Sequence, residues 1–120
     1  MKKICVLSVM LCTSTIALAA KPVMPKQFLG NWAESKDSCV IPKDSPIDFP
    51  GDGAKIRKDG IERYEYWCEL KSISKSTKQS LTARFVCSNE DGEQSEIYKL
   101  SLSAEGKLLG IKDEGLFRCK

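Results

Sequence analysis

Across residues 61–73, and again across 81–87, side-chain character alternates residue by residue. Tyr64, Tyr66, Cys68 and Leu70 fall on one face, against Glu65, Trp67, Glu69 and Lys71. Leu81, Ala83, Phe85 and Cys87 repeat the pattern against Thr82, Arg84 and Val86. A period of two belongs to strands that bury one face and wet the other. No segment carries the 3.6-residue stripe of an amphipathic helix. Turn residues divide the rest at hairpin spacing. After a lead-in with Pro22 and Pro25, residues 28–33 read as a first strand. Pro42, Pro46, Pro50, Gly51 and Gly53 make residues 34–53 a long loop, or two very short strands pinned by Cys39. Further strands are expected at 54–58, 61–73, 81–87, through Tyr98, Leu100 and Leu102, and at 108–112 and 116–119. The turns between them are Asp59-Gly60, residues 76–79, 89–92, 104–106 and 113–115. The expected fold is all-β: a small antiparallel meander of seven to eight short strands, closed into a barrel or tight sandwich so that its edges are not left open.

The compartment is written at the start of the chain. Lys2 and Lys3, an apolar run over residues 4–11 and Ala17-Leu18-Ala19-Ala20 follow the order of a secretory signal peptide, cut after Ala19 or Ala20. Its apolar part is too short to span a bilayer. Lipidation at Cys12 is disfavoured, because Val9-Met10-Leu11 lacks the small residues of a lipoprotein signal. The expectation is a signal peptide at 1–20, a single all-β domain at 21–120, no transmembrane segment, and a periplasmic or secreted protein.

Cys5 and Cys12 leave with the signal, and Cys39, Cys68, Cys87 and Cys119 remain. Four cysteines in a secreted chain of this size read as two disulfides. With no histidine and no close cysteine pair, a zinc site is a poor alternative. If Cys68 and Cys87 stand opposite each other, Lys75 faces Ser80 and residues 76–79 form an ordinary hairpin loop. Cys39 and Cys119 then tie the start of the domain to its end. Loop entropy assigns roughly 3 kcal/mol to the short ring and about 4.5 kcal/mol to the long one. Cys39–Cys68 with Cys87–Cys119 stays open as a second connectivity.

Formal charge is +3, and removing Lys2 and Lys3 leaves +1. Acids and bases are interspersed, as in Lys55, Arg57, Lys58 and Asp59, with no stripe to neutralise phosphates. Nucleic acid is not expected as a partner. Nor is an enzyme. No histidine can serve as general base, the cysteines are expected to be oxidised, and no serine sits in a nucleophile elbow. Asp44, Asp48 and Asp52 lack the ligand spacing of a calcium loop. No metal and no cofactor is expected.

Gly30-Asn31-Trp32 resembles the Gly-x-Trp opening strand of lipocalins, in which the Trp closes the barrel floor; the resemblance implies a lipocalin-like barrel. Over the whole mature region, the order Phe28-Leu29-Gly30-x-Trp32-Ala33, Tyr64-Glu65-x-x-Cys68, Cys87-Ser88-x-Glu90, Leu102-Ser103-x-x-Gly106-Lys107-Leu108 and Arg118-Cys119 is similar to a group of small secreted four-cysteine proteobacterial proteins of unassigned function. That similarity implies a shared fold and no activity. Tyr66-Trp67-Cys68 and the stretch from Ser103 to Lys107 resemble elements of periplasmic c-type lysozyme inhibitors, whose loop places a Ser and a basic residue in the lysozyme cleft. The cysteine number and spacing differ from that family.

Two binding functions follow as expectations. In the first, the domain is a non-enzymatic module for a protein partner outside the cytoplasm, such as an inhibitor or modulator of a hydrolase. Trp67, Ser103 and Lys107 are its candidate anchors, with Tyr98 a second exposed aromatic. In the second, a small apolar ligand occupies the barrel, lined by Trp32, Tyr64, Tyr66 and Phe85. Core packing is the preferred account of those four aromatics, since so short a chain has little else to fill its interior.

Overall fold

The alternating segments form eight antiparallel strands in one sheet, in a computed structural model that describes residues 21–120. The signal-peptide reading of residues 1–20 lies outside the described residues. The strands are β1 (Gly30–Ala33), β2 (Ala54–Arg57), β3 (Gly60–Arg63), β4 (Tyr66–Ser76), β5 (Ser80–Asn89), β6 (Gly92–Leu102), β7 (Leu108–Leu109) and β8 (Phe117–Arg118). Each pairs with the next from β1 to β7, and β8 returns to β1. Leu108 and Leu116 exchange backbone hydrogen bonds of 2.9 and 2.8 Å, joining the two ends of the sheet. The result is a nearly closed barrel.

Residues 61–73 do not form the single strand expected of them. Tyr64 and Glu65 make a two-residue turn, with Arg63 opposite Tyr66 and Glu65 at φ 56°. The signal for this break lies in the parity of the apolar residues. In a straight strand Ile61 would share the wet face of Trp67 and Glu69. Folding back at 64–65 sets Ile61 opposite Cys68, and both are buried. Gly60 is not in the turn but opens β3, opposite Glu69. A Cβ on Gly60 would stand 2.0 Å from the Cys68 carbonyl oxygen, so β4 can approach only a glycine.

The loop expected at 76–79 is tighter than four residues. Ser76 pairs with Leu81, Thr77 N–H bonds to the Ser80 carbonyl, and only Lys78 and Gln79 turn the chain. Cys68 does stand opposite Cys87. Two bulges in β4, between Leu70 and Ser72 and between Ile73 and Lys75, absorb the difference in register. The first and last strands contract, while β5 and β6 extend beyond the expected limits. Residues 26–28 form a 3₁₀ turn before β1, residues 34–53 hold only a 3₁₀ turn at Asp37–Cys39, and β7 stops at Gly110 (φ 106°).

Trp32, Phe28, Phe85, Met24, Ile61 and the leucines 81, 100, 108 and 116 fill the interior and are fully buried or nearly so. Met24 and Phe28 come from the lead-in. Met24 N–H bonds to the Lys58 carbonyl at 2.8 Å, and the Trp32 indole donates to the Phe28 carbonyl at 3.0 Å. The Arg118 guanidinium lies 4.3 Å from the Trp32 ring centroid and donates to the Leu29 carbonyl at 2.9 Å. These contacts plug one end of the barrel. The disulfides are Cys39–Cys119 and Cys68–Cys87, and the second connectivity is excluded. Among the described residues no helix is long and apolar enough to cross a membrane.

Candidate functional site

A meander places alternate connections at the same end of a barrel. The plugged end carries the Lys58-Asp59 and Lys78-Gln79 turns and residues 103–107. The opposite end, the mouth, carries the long loop 34–53, the Tyr64-Glu65 turn and the Glu90-Asp91 turn. The loop is held at both ends: Cys39 is bridged to Cys119, and the Phe49 side chain is 2% exposed. Between these anchors Pro42, Pro46 and Pro50 prevent regular pairing, and the loop folds into a groove of about 400 Å³. Val40, Ile41, Ile47 and Tyr64 line it. Val40 is 79% exposed and Tyr64 55%.

A second constellation lies beside the groove on the inner face of β4 and β6. The Tyr66 hydroxyl donates to Glu96 at 2.8 Å and the Gln94 amide at 2.7 Å. The Tyr98 ring packs edge-on against Phe85 at 5.3 Å, and its hydroxyl lies 3.8 Å from the Cys68 sulfur. Burial alone would raise the Glu96 carboxyl. The hydrogen bonds from Tyr66 and Gln94, together with the facing Tyr98 hydroxyl, outweigh it, with a further contribution from Arg63, and hold the group below its ordinary value. Burial, then the facing Glu96, pushes both the Tyr66 and Tyr98 hydroxyls up. Cys68, Cys87 and Glu96 place donor atoms within 4.8 Å of one another, but both sulfurs are spent in the disulfide and are not thiolate ligands.

The expected lining residues are divided by the structure. Trp32 and Phe85 point inward and are buried in the packed core, and Tyr66 is half-buried at the mouth. Tyr64 departs from the expectation: the turn it belongs to carries it outside the barrel, onto the groove. Of the candidate anchors, Ser103 and Lys107 share one turn, and Trp67 lies apart from them. Trp67 is half-buried at the mouth end of β4, with the Arg57 guanidinium 5.8 Å from its ring. Ser103 is used within its own turn, its hydroxyl accepting from the Lys107 N–H at 3.0 Å. The Lys107 ammonium sits 4.6 Å over the Phe117 ring. Trp67 is level with Ser88 and Glu93 near the start of β6, whereas Ser103 follows its last residue, Leu102. Tyr98 is half-buried on the inner face.

Sequence reasoning missed the groove and the carboxylate. Glu96 had a readable signal, as it shares the inward parity of Tyr98 and Leu100. The groove had none, because only the path of the loop assembles it. The chain matches no family model, no curated protein and no solved structure.

Proposed function

We propose that this protein acts outside the cytoplasm as a non-enzymatic binding module, and that the mouth groove takes an apolar segment of a protein partner, such as an extracytoplasmic hydrolase that it inhibits or modulates. The observation that carries this reading is the pairing of two exposed apolar side chains, Val40 and Tyr64, on one groove in a loop fastened by a disulfide. A fastened loop loses little conformational freedom on binding, which favours affinity. The disulfides fit an oxidising compartment, as does the leader-like start of the chain.

A second reading is favoured by the size of the groove, which is within the range of small-molecule sites. In it, a small apolar ligand lies in the groove instead of in the barrel, whose centre is occupied by Trp32, Phe28 and Phe85. Titration against c-type lysozyme and a panel of secreted serine proteases, followed by inhibition and calorimetry, tests the first reading. The expected result is saturable binding to one of them, weakened at least tenfold by Val40→Asp and unchanged by Ser103→Ala. Absence of any hydrolase binding, with saturable uptake of a fatty acid that Val40→Asp abolishes, would favour the second.

A further inference from the structure

Strand β6 has eleven residues, but β7 covers only its last two: Ser101 pairs with Leu109 and Leu102 with Leu108. Gly110 then closes on the Lys99 carbonyl, where a Cβ would stand 2.1 Å from the oxygen. Over residues 92–98, β6 has β5 on one side and, among the described residues, no strand on the other. The disulfide shows which backbone groups are left over. Its Cα atoms are 3.9 Å apart, the close spacing of a non-hydrogen-bonded pair across β4 and β5. Cys87 therefore directs its N–H and C=O toward β6, where it pairs with Gln94. By alternation, Glu93, Ser95 and Ile97 direct theirs away from β5, into the open edge. No bulge interrupts β6 against β5, no proline blocks it, and Ile97 is 69% exposed. Such an edge is a template for another strand.

We propose that this edge pairs antiparallel with the same edge of a second copy of the chain, about a twofold axis at Ser95. Ser95 is the midpoint of the free stretch 92–98. An axis there sets outward-facing residues opposite outward-facing residues, as the hydrogen bonds require. It places Glu93 opposite Ile97 and Gln94 opposite Glu96, each twice, with Gly92 opposite Tyr98 at the ends of the free stretch. No like charges meet, and the second amide hydrogen of Gln94 is available to the facing carboxylate. Registers displaced toward β7 are worse. An axis at Glu96 puts two half-buried carboxylates face to face, and one at Ile97 drives the second strand into Ser101, which β7 already holds. The surface is separate from the mouth groove and does not depend on what binds there.

Sedimentation of the purified oxidised protein over a range of concentrations tests the proposal. A monomer–dimer equilibrium is expected. Ser95→Pro, which removes an N–H facing the open edge, should weaken the dimer at least tenfold while leaving the circular dichroism unchanged. Ser95→Cys should form an interchain disulfide readily, because Ser95 opposes itself. Glu93→Cys and Ile97→Cys alone should not, since each opposes the other. The cysteine series decides the matter even if the proline variant fails to fold. A monomer at every concentration, a dimer indifferent to Ser95→Pro, or equal cross-linking at all three positions would overturn the proposal. So would a monomer whose edge instead captures an unrelated extended peptide.

Discussion

Glu96 and Tyr98 stand two residues apart on the inner face of β6, and their protons are displaced in opposite directions. The Glu96 carboxyl is held below its ordinary 4.5, so the folded protein binds that proton less readily than the unfolded chain. Its stabilising contribution is complete at neutral pH and is lost as pH falls through the folded value. The Tyr98 hydroxyl is pushed above its ordinary 10.0, first by burial and then by Glu96. Its contribution is complete below pH 10 and is lost above it, where the unfolded phenol ionises first. Thermal melting across pH should therefore show an acid limb that Glu96→Gln flattens and an alkaline limb that Tyr98→Phe flattens. An acid limb identical in Glu96→Gln would mean that the carboxylate is not held as described. At this scale the sequence placed Cys68, Cys87 and Phe85 on the buried face, because burial by alternation needs only the residue and its neighbours. It misplaced Tyr64, because a residue in a turn no longer obeys the parity of its strand.

Among the elements, the β4–β5 hairpin is where local pattern and tertiary register part company. The Cys68–Cys87 pairing was legible from the alternating faces of both strands. The two bulges were not, since Lys71 and Ser74 carry nothing that marks an extra residue. The disulfide holds this hairpin by closing a short ring, with a sequence separation of 19. Replacing both Cys68 and Cys87 with Ala should lower unfolding stability by about 3 kcal/mol, measured by urea denaturation. Loss of less than about 1 kcal/mol would mean that strand pairing alone already restricts the unfolded hairpin. The next strand, β6, is left bare on one side over residues 92–98, because β7 ends after two residues.

For the molecule as a whole, the Cys39–Cys119 bridge has two effects. It closes a ring with a sequence separation of 80 and fastens the mouth loop to the chain's last strand. Replacing both residues with Ser should cost up to about 4.5 kcal/mol in unfolding stability. It should also raise amide exchange over residues 34–53 while leaving β4 and β5 protected. Exchange mass spectrometry would read this directly, and uniform loss of protection would show that the bridge holds the barrel and not the loop. Near-closure is also a property of this scale: one bridge between Leu108 and Leu116 joins the two ends of the sheet.

Alternation, turn residues and cysteine number determined that this chain folds as a small antiparallel β-meander with two disulfides. Those signals are local, so they survive without knowledge of the fold. Residue parity also contained the Tyr64-Glu65 break, in the apolar Ile61 on the otherwise wet face. The tertiary structure alone decided that the Pro-rich loop forms a groove, that Tyr64 faces it, and that Trp67 and Ser103 lie far apart. It also decided that Glu96 accepts from Tyr66 and faces Tyr98, and that β6 keeps an open edge. Each of these depends on which distant segments meet and on how many residues each strand spends in pairing, and neither quantity is encoded within a single stretch of the chain.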